Sequence, residues 1–267
     1  MPLKHPRSLR AARPSAAFTL MEILVVVSII LVLAAIALPV YSAVMRRSNK
    51  IVAVNNMRQI TATLISYTAQ NDGDFPDEGI PQGNTWTYAA DSSIGGKVWY
   101  NALPRMMGRK GVGDYANSRA GYYSKENILF LPGAQYPPGQ TRLDRPFFAF
   151  AINTKLQRKS RSTGQKAKAK MSQIVNPART VAFLEEGMPG EHRPSAIQWP
   201  YSGDAKSAGR SFVERYDGRG VITFMDGHVE ELETKTILDA RGLLVTPDKN
   251  NIYWTRTPEE DVNNPPP

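Results

Sequence analysis

In the stretch AFTLMEILVVVSIILVLAAIALPVYS, residues 17–42, Glu22 is the single charged side chain, at the edge of a run apolar enough to cross a membrane. A carboxylate in lipid is costly unless it faces a partner, so its retention points to a paired or positioned role. A local reading exists beside it: near a helix start a negative charge meets the favourable end of the macrodipole. Three other groupings carry candidate chemistry. Asp226-Gly227-His228 offers a carboxylate and an imidazole, but Asp-Gly between two alternating apolar arms is first a two-residue hairpin signal, and one imidazole makes a poor metal site. Glu185-Glu186-Gly187 together with Asp226 offers oxygen donors for calcium, yet no calcium-loop spacing is present. KLQRKSRSTGQKAKAK, residues 155–170, holds seven basic residues (Lys155, Arg158, Lys159, Arg161, Lys166, Lys168 and Lys170) and no acid. Such a run either binds an anionic polymer by counterion release or forms a solvated loop. It lacks the aromatics on which single-stranded nucleic acid stacks, so a nucleic-acid partner is not expected. The sequence contains no phosphate loop, nucleophile elbow, paired catalytic acid motif or dinucleotide fingerprint; no enzymatic role, cofactor or metal is expected.

The elements that would position these residues follow from hydropathy and charge. The chain has 267 residues, a formal charge of +9 and no cysteine, so disulfides and thiolate metal sites are excluded. Lys4, Arg7, Arg10 and Arg13 lie unaccompanied by acids in residues 1–17, which read as a basic leader peptide. Residues 18–41 form the membrane-spanning half of a helix, close to the ~20 residues that cross a hydrocarbon layer. Residues 42–71 continue it as an amphipathic half. Ile51, Val54, Met57 or Arg58, Ile60 or Thr61, Leu64 and Tyr67 recur at helical spacing, with Arg46, Lys50, Asn55 and Gln59 off that face. From Phe18 to Gln70 the rod would be about 80 Å long at ~1.5 Å per residue. A kink is expected at Pro39, and a stop at Asn71 to Asp74 with Gly73 left-handed. Residues 72–257 read as a globular α+β head. Its best strands are Phe147 to Ile152, Thr180 to Glu186 and Val221 to Leu232, a small antiparallel sheet packed on the helix. Trp86, Trp99, Tyr100, Tyr122 and Tyr123 are its expected core and surface aromatics. Residues 258–267 read as a flexible tail.

The segment AFTLMEILVVVSIILVLAAIALP resembles, in spacing as well as composition, the cleavage and methylation segment of type IV pilins and type II secretion pseudopilins. The resemblance implies a fold, type IV pilin-like, and a fate. A prepilin peptidase and N-methyltransferase would cut between Ala17 and Phe18 and methylate the new amine of Phe18. Glu22 and Pro39 stand in register with the family's glutamate and proline. Ala17 replaces the usual glycine before the cut, and Leu31 stands where many relatives have glycine. More loosely, NNMRQITATLISYTAQNDGDFP (Asn55 to Pro76) and RYDGRGVITFMDGHVEEL (Arg215 to Leu232) are similar to segments of pseudopilin-like proteins, with Tyr216 in place of a histidine.

What the resemblance implies is a structural subunit held by its N-terminal helix in a bacterial inner membrane, C-terminal domain outside the cytoplasm. Its partners would be the peptidase, other pilin-like subunits, an inner-membrane assembly platform and membrane lipid. Glu22 would pair with the amine of a neighbouring subunit. Two alternatives stand beside this. One is an ordinary secretory signal cut near Ala35 to Ala37 or after Ala43, against which Glu22 and Pro39 argue. The other is a membrane-tethered or secreted module whose basic run captures anionic polymer.

Overall fold

The computed structural model describes residues 19–79, 85–93, 95–159, 166–167, 169–194, 198 and 200–257; the leader, Ala17, Phe18 and the expected tail lie outside them. The chain divides into two compact units, residues 1–45 and 46–267, and helix α1 (Leu20–Gln70) runs through the boundary without interruption. Helical structure continues across Pro39, which lacks the N–H that would bond back one turn. The Ser42 hydroxyl donates to the Pro39 carbonyl at 2.9 Å.

In the second unit α1 ends as the sequence suggests. Gly73 is left-handed (φ 83°) and its N–H reaches the Thr68 carbonyl at 2.9 Å, with Asp72 also left-handed (φ 53°) just before it. The buried face differs from the expected one. Ala53, Met57, Ile60, Thr61, Leu64 and Thr68 are buried, whereas Ile51 is exposed and Val54 and Tyr67 only flank the core. The stripe through 53, 57, 60, 64 and 68 follows the 3.6-residue repeat more closely than one begun at Ile51. Nor does Lys50 point away from the fold: its ammonium pairs with Glu231 at 3.0 Å.

The sheet has five strands in the order β5-β1-β4-β6-β7: β1 (Phe150–Asn153), β4 (Val181–Glu185), β5 (Lys206–Ser207), β6 (Gly220–Phe224) and β7 (Val229–Leu232). It is mixed rather than antiparallel, because β5 joins the edge parallel to β1, pairing Ile152 with Lys206. That strand is two residues long and was not visible as a hydrophobic run. A separate antiparallel pair, β2 (Arg158–Lys159) and β3 (Lys166–Ala167), lies within the basic run. β6 and β7 form the expected hairpin, but its loop has three residues, not two. Gly227 N–H closes a turn on the Phe224 carbonyl (2.9 Å), Gly227 is left-handed (φ 96°), and Phe224 N–H bonds His228 O at 3.0 Å. This is a turn followed by a glycine bulge, which keeps the right-handed twist of the strands.

Side chains alternate across the sheet and separate two cores. Phe183, Val221 and Ile152 join the α1 stripe and the aromatics on one side. There Trp99 of α3 (Trp99–Met106) sits 5.1–6.0 Å from Tyr100, Phe148, Phe150 and Phe183, and Trp86 of α2 (Trp86–Ala90) meets Tyr122 edge-on at 5.5 Å. On the other side Val181, Leu184, Ile222 and Phe224 are covered by Ile237, Leu238, Leu244, Ile252 and Trp254. A register shift between Val181 and Phe183 lets Ala182 and Phe183 both serve the first core. Thr61 Oγ donates to Thr223 Oγ at 2.7 Å, a fixed polar contact between α1 and β6 in otherwise apolar surroundings.

These placements predict that Leu64→Ala lowers the stability of the detergent-solubilised protein by about 2–5 kcal/mol in denaturant titration, as for other buried leucines. Ile51→Ala, on the same helix but exposed, should stay within about 0.5 kcal/mol of wild type.

Candidate functional site

The first unit offers one polar constellation. Glu22 lies in the first turn of α1, and its Oε2 accepts from both the backbone N–H and the hydroxyl of Thr19, at 2.8 and 2.9 Å. Thr19 Oγ in turn accepts from Glu22 N–H at 3.2 Å. This reciprocal arrangement is a capping box, whose T-x-x-E spacing stands in the sequence as Thr19-Leu20-Met21-Glu22 and was readable there. It explains how a carboxylate tolerates an apolar neighbourhood within one chain: one oxygen is satisfied locally, and Oε1 accepts no hydrogen bond among the described residues. Beyond it the helix presents Leu20 to Val44 outward, and none of its most apolar stretch is buried. By length and composition this helix can cross a membrane. Ser28 within it donates back to the Leu24 carbonyl at 2.7 Å, so that hydroxyl is satisfied inside the helix.

In the second unit the expected candidates separate. Asp226 and His228 belong to the hairpin loop: Asp226 Oδ1 accepts His228 N–H at 3.0 Å, and the imidazole stacks on Phe224 at 4.3 Å between Asp226 and Glu230. Among the described residues no three His, Asp or Glu side chains are placed to hold a metal ion. Of the basic run, Lys170 pairs with Asp74 at 3.2 Å and donates to the Asp72 carbonyl at 3.0 Å. Lys155 lies half-buried on the turn after β1. Arg158, Lys159 and Lys166 are placed by their backbones in β2 and β3, and Arg161 and Lys168 lie outside the described residues.

Sequence reasoning missed the most elaborate polar cluster, centred on Arg215. Its guanidinium is 3% exposed and spends every N–H. Nε and one terminal nitrogen clamp Glu191 at 2.9 and 2.7 Å, and that same nitrogen donates to the Glu186 carbonyl. The other terminal nitrogen reaches Ala149 O at 2.8 Å and Glu185 at 3.0 Å. Burial alone would push the Glu191 carboxyl up, but the Arg215 charge and bidentate clamp hold it below the usual range. Burial wins at Glu185, whose carboxyl rises to about 6 although Arg215 and the Val221 N–H pull it down. Glu186 faces the opposite side of β4's end, hydrogen-bonded to Ser211 at 2.6 Å in a chain that continues to Ser207 at 3.0 Å. Burial lifts its carboxyl to about 8, so it is mostly neutral at pH 7. The adjacent pair Glu185-Glu186 thus holds one ion-paired acid and one protonated acid, a structural use that leaves neither free as a calcium donor. Two adjacent acids closing an apolar strand and an arginine before β6 were the only signals.

The Glu186 shift fixes a pH dependence. The folded carboxyl holds its proton to about pH 8 while the unfolded one loses it near 4.5, so stability falls as pH rises between those values and is flat above. Thermal melts of the detergent-solubilised chain should therefore drop from pH 5 to pH 8, and Glu186→Gln should remove most of that drop. Arg215→Ala, which strands Glu191 and Glu185 in the interior, should cost about 3–5 kcal/mol. Compared with known proteins, the chain matches no family model, no curated protein and no solved structure.

Proposed function

We propose that this chain is a pilin-like structural subunit, processed between Ala17 and Phe18 and polymerised through the apolar half of α1 into a secretion pseudopilus or a pilus-like filament. The observation that carries the reading is Glu22 at the start of an uncovered apolar helix, with one carboxylate oxygen capped by Thr19 and the other accepting no hydrogen bond among the described residues. Proteolysis at Phe18 would create an ammonium at the same membrane depth as that second oxygen. Outside lipid such a pair contributes little, but in hydrocarbon the alternative for both charges is costly, so pairing between subunits is favoured.

The capping box supplies a division of labour within this reading. Thr19 makes the monomer tolerable in the bilayer, and the neighbour's amine makes the assembled state better. Apolar side chains from Leu20 to Val44 then pack between helices in place of lipid. The head, a separate compact unit, decorates the filament and is the part that meets other subunits or cargo.

Mass spectrometry of the native protein is expected to find a chain beginning at N-methylated Phe18. A chain beginning near Val44 would favour ordinary secretion, and one retaining residues 1–17 would refute processing. Glu22→Ala should insert in the membrane like wild type yet fail to enter filaments, scored by the sheared-filament fraction. Wild-type incorporation of that variant would remove the pairing argument.

A further inference from the structure

One aromatic cluster of the second unit carries a cation over each of three rings. Trp86 and Tyr122 meet edge-on at 5.5 Å, and Tyr122 meets Tyr115 at 5.9 Å and Tyr123 at 4.8 Å. Lys110 lies over Tyr115, Arg119 over Trp86 and Arg142 over Tyr123, at 5.6, 5.8 and 5.4 Å from the ring centroids. Backbone contacts hold the same arrangement. The Trp86 indole and Arg119 both donate to the Leu143 carbonyl, at 2.9 and 3.1 Å, and the Tyr123 hydroxyl donates to the Arg142 carbonyl at 2.6 Å. Lys110 follows the end of α3, where left-handed Gly108 (φ 70°) turns the chain and Arg109 N–H closes on the Pro104 carbonyl at 2.9 Å.

The surface over this cluster is basic. Residues 85–145 hold eight Lys and Arg against four acids. Of those acids, Asp114 is clamped by Arg105 at 2.7 and 3.1 Å and Asp91 accepts from the Ser93 hydroxyl at 2.6 Å, which leaves Glu126 and Asp144. Arg109, Lys110, Arg119, Lys125 and Arg142 make no ion pair among the described residues; Arg142 is half-buried and the other four are exposed. Arg142 Nε is buried with no acceptor among the described residues. A carboxylate drawn to that guanidinium would supply the acceptor that the fold does not.

We infer that this surface binds an acidic polysaccharide of the uronate type, a chain with carboxylates on its sugar rings, through Lys110, Arg119 and Arg142. A guanidinium laid on a ring and tied to the backbone is held in place, and its fork matches a carboxylate. Glu126 and Asp144 select against a phosphate backbone, because duplex DNA presents a charge every ~1.7 Å of axis and would bring phosphates against them. A polyuronate alternates its carboxylates with hydroxyls, which donate to acids. Single-stranded nucleic acid stacks its bases on ring faces, and here cations lie over those rings. A lipid surface takes up apolar side chains, and Met106, 39% exposed, is the one exposed large hydrophobic residue among the described residues of 85–145. The inference places anion capture away from residues 155–170, and it rests neither on processing at Phe18 nor on Glu22.

The test uses the full chain in detergent and a fluorescent oligogalacturonate, with binding read by anisotropy at physiological ionic strength. Saturable binding is expected. Arg119→Gln with Arg142→Gln should weaken it roughly tenfold, and Arg109→Gln with Lys110→Gln, at exposed positions, roughly threefold. Replacing the basic residues of 155–170 by Gln should leave the affinity within about threefold, since charges beyond a Debye length are screened. The uncharged galactose oligomer should not bind. Absence of saturable binding, wild-type affinity in either double variant, equal binding of the uncharged oligomer, or loss of binding on replacing 155–170 alone would each overturn the assignment. Duplex DNA bound as tightly as the oligogalacturonate would overturn the choice of a polysaccharide. If the Arg119 and Arg142 variant does not melt like wild type, the Arg109 and Lys110 variant decides by itself. None of these results bears on N-terminal processing, which stands or falls on the mass of the mature chain.

Discussion

Arg215 is the fixed point of the head. A guanidinium has five donors in a rigid fork, and here they find acceptors on three pieces of chain: the β1 entry at Ala149, the end of β4 at Glu185 and Glu186, and the loop at Glu191. The first of these is far in sequence from the other two. Glu191 in turn accepts the N–H groups of Gln135 and Met188, and Glu185 accepts that of Val221, so loops with few apolar residues are fastened to the sheet. A buried cluster of this kind is weak evidence for net stability, since well-packed apolar residues often do as well. Its effect is to define one arrangement of loops that hydrophobic burial alone would leave loosely specified.

How far the sequence foretold this structure depended on the range over which each feature is determined. The apolar run, the helix end at Gly73 and the β6–β7 hairpin are local, and they were legible within a few residues. The helix face was half-legible: Met57, Ile60 and Leu64 were in the expected stripe, but which neighbours joined them was decided by the sheet. Thr61 is polar yet central because Thr223 meets it, and Ile51 is apolar yet exposed because nothing covers it. β5 was invisible because two residues of strand carry no periodicity, and its parallel pairing depends on where the chain returns from Glu186. At the candidate site Glu22 was conspicuous by charge, and its cap was readable as the spacing from Thr19 to Glu22, although that stretch reads first as the edge of the apolar run.

The two ionisable settings of the chain handle their carboxylates differently. In the head, carboxylates are kept inside by a guanidinium or by retaining a proton, as Glu185 and Glu186 show side by side. In the apolar helix, Glu22 rests on a hydroxyl and a backbone amide at a helix start, where four N–H groups lack intrahelical partners anyway. The first solution is complete within one chain; the second, among the described residues, satisfies a single oxygen.

The second face of the sheet is covered by Phe212 together with the later residues Ile237, Leu238, Leu244, Ile252 and Trp254. Until those later residues emerge during synthesis, Val181, Leu184, Ile222 and Phe224 have Phe212 but lack the greater part of their cover, although the strands that carry them already exist. Closure of the head therefore needs the segment that follows β7, and the nascent chain stays pliable until it is made.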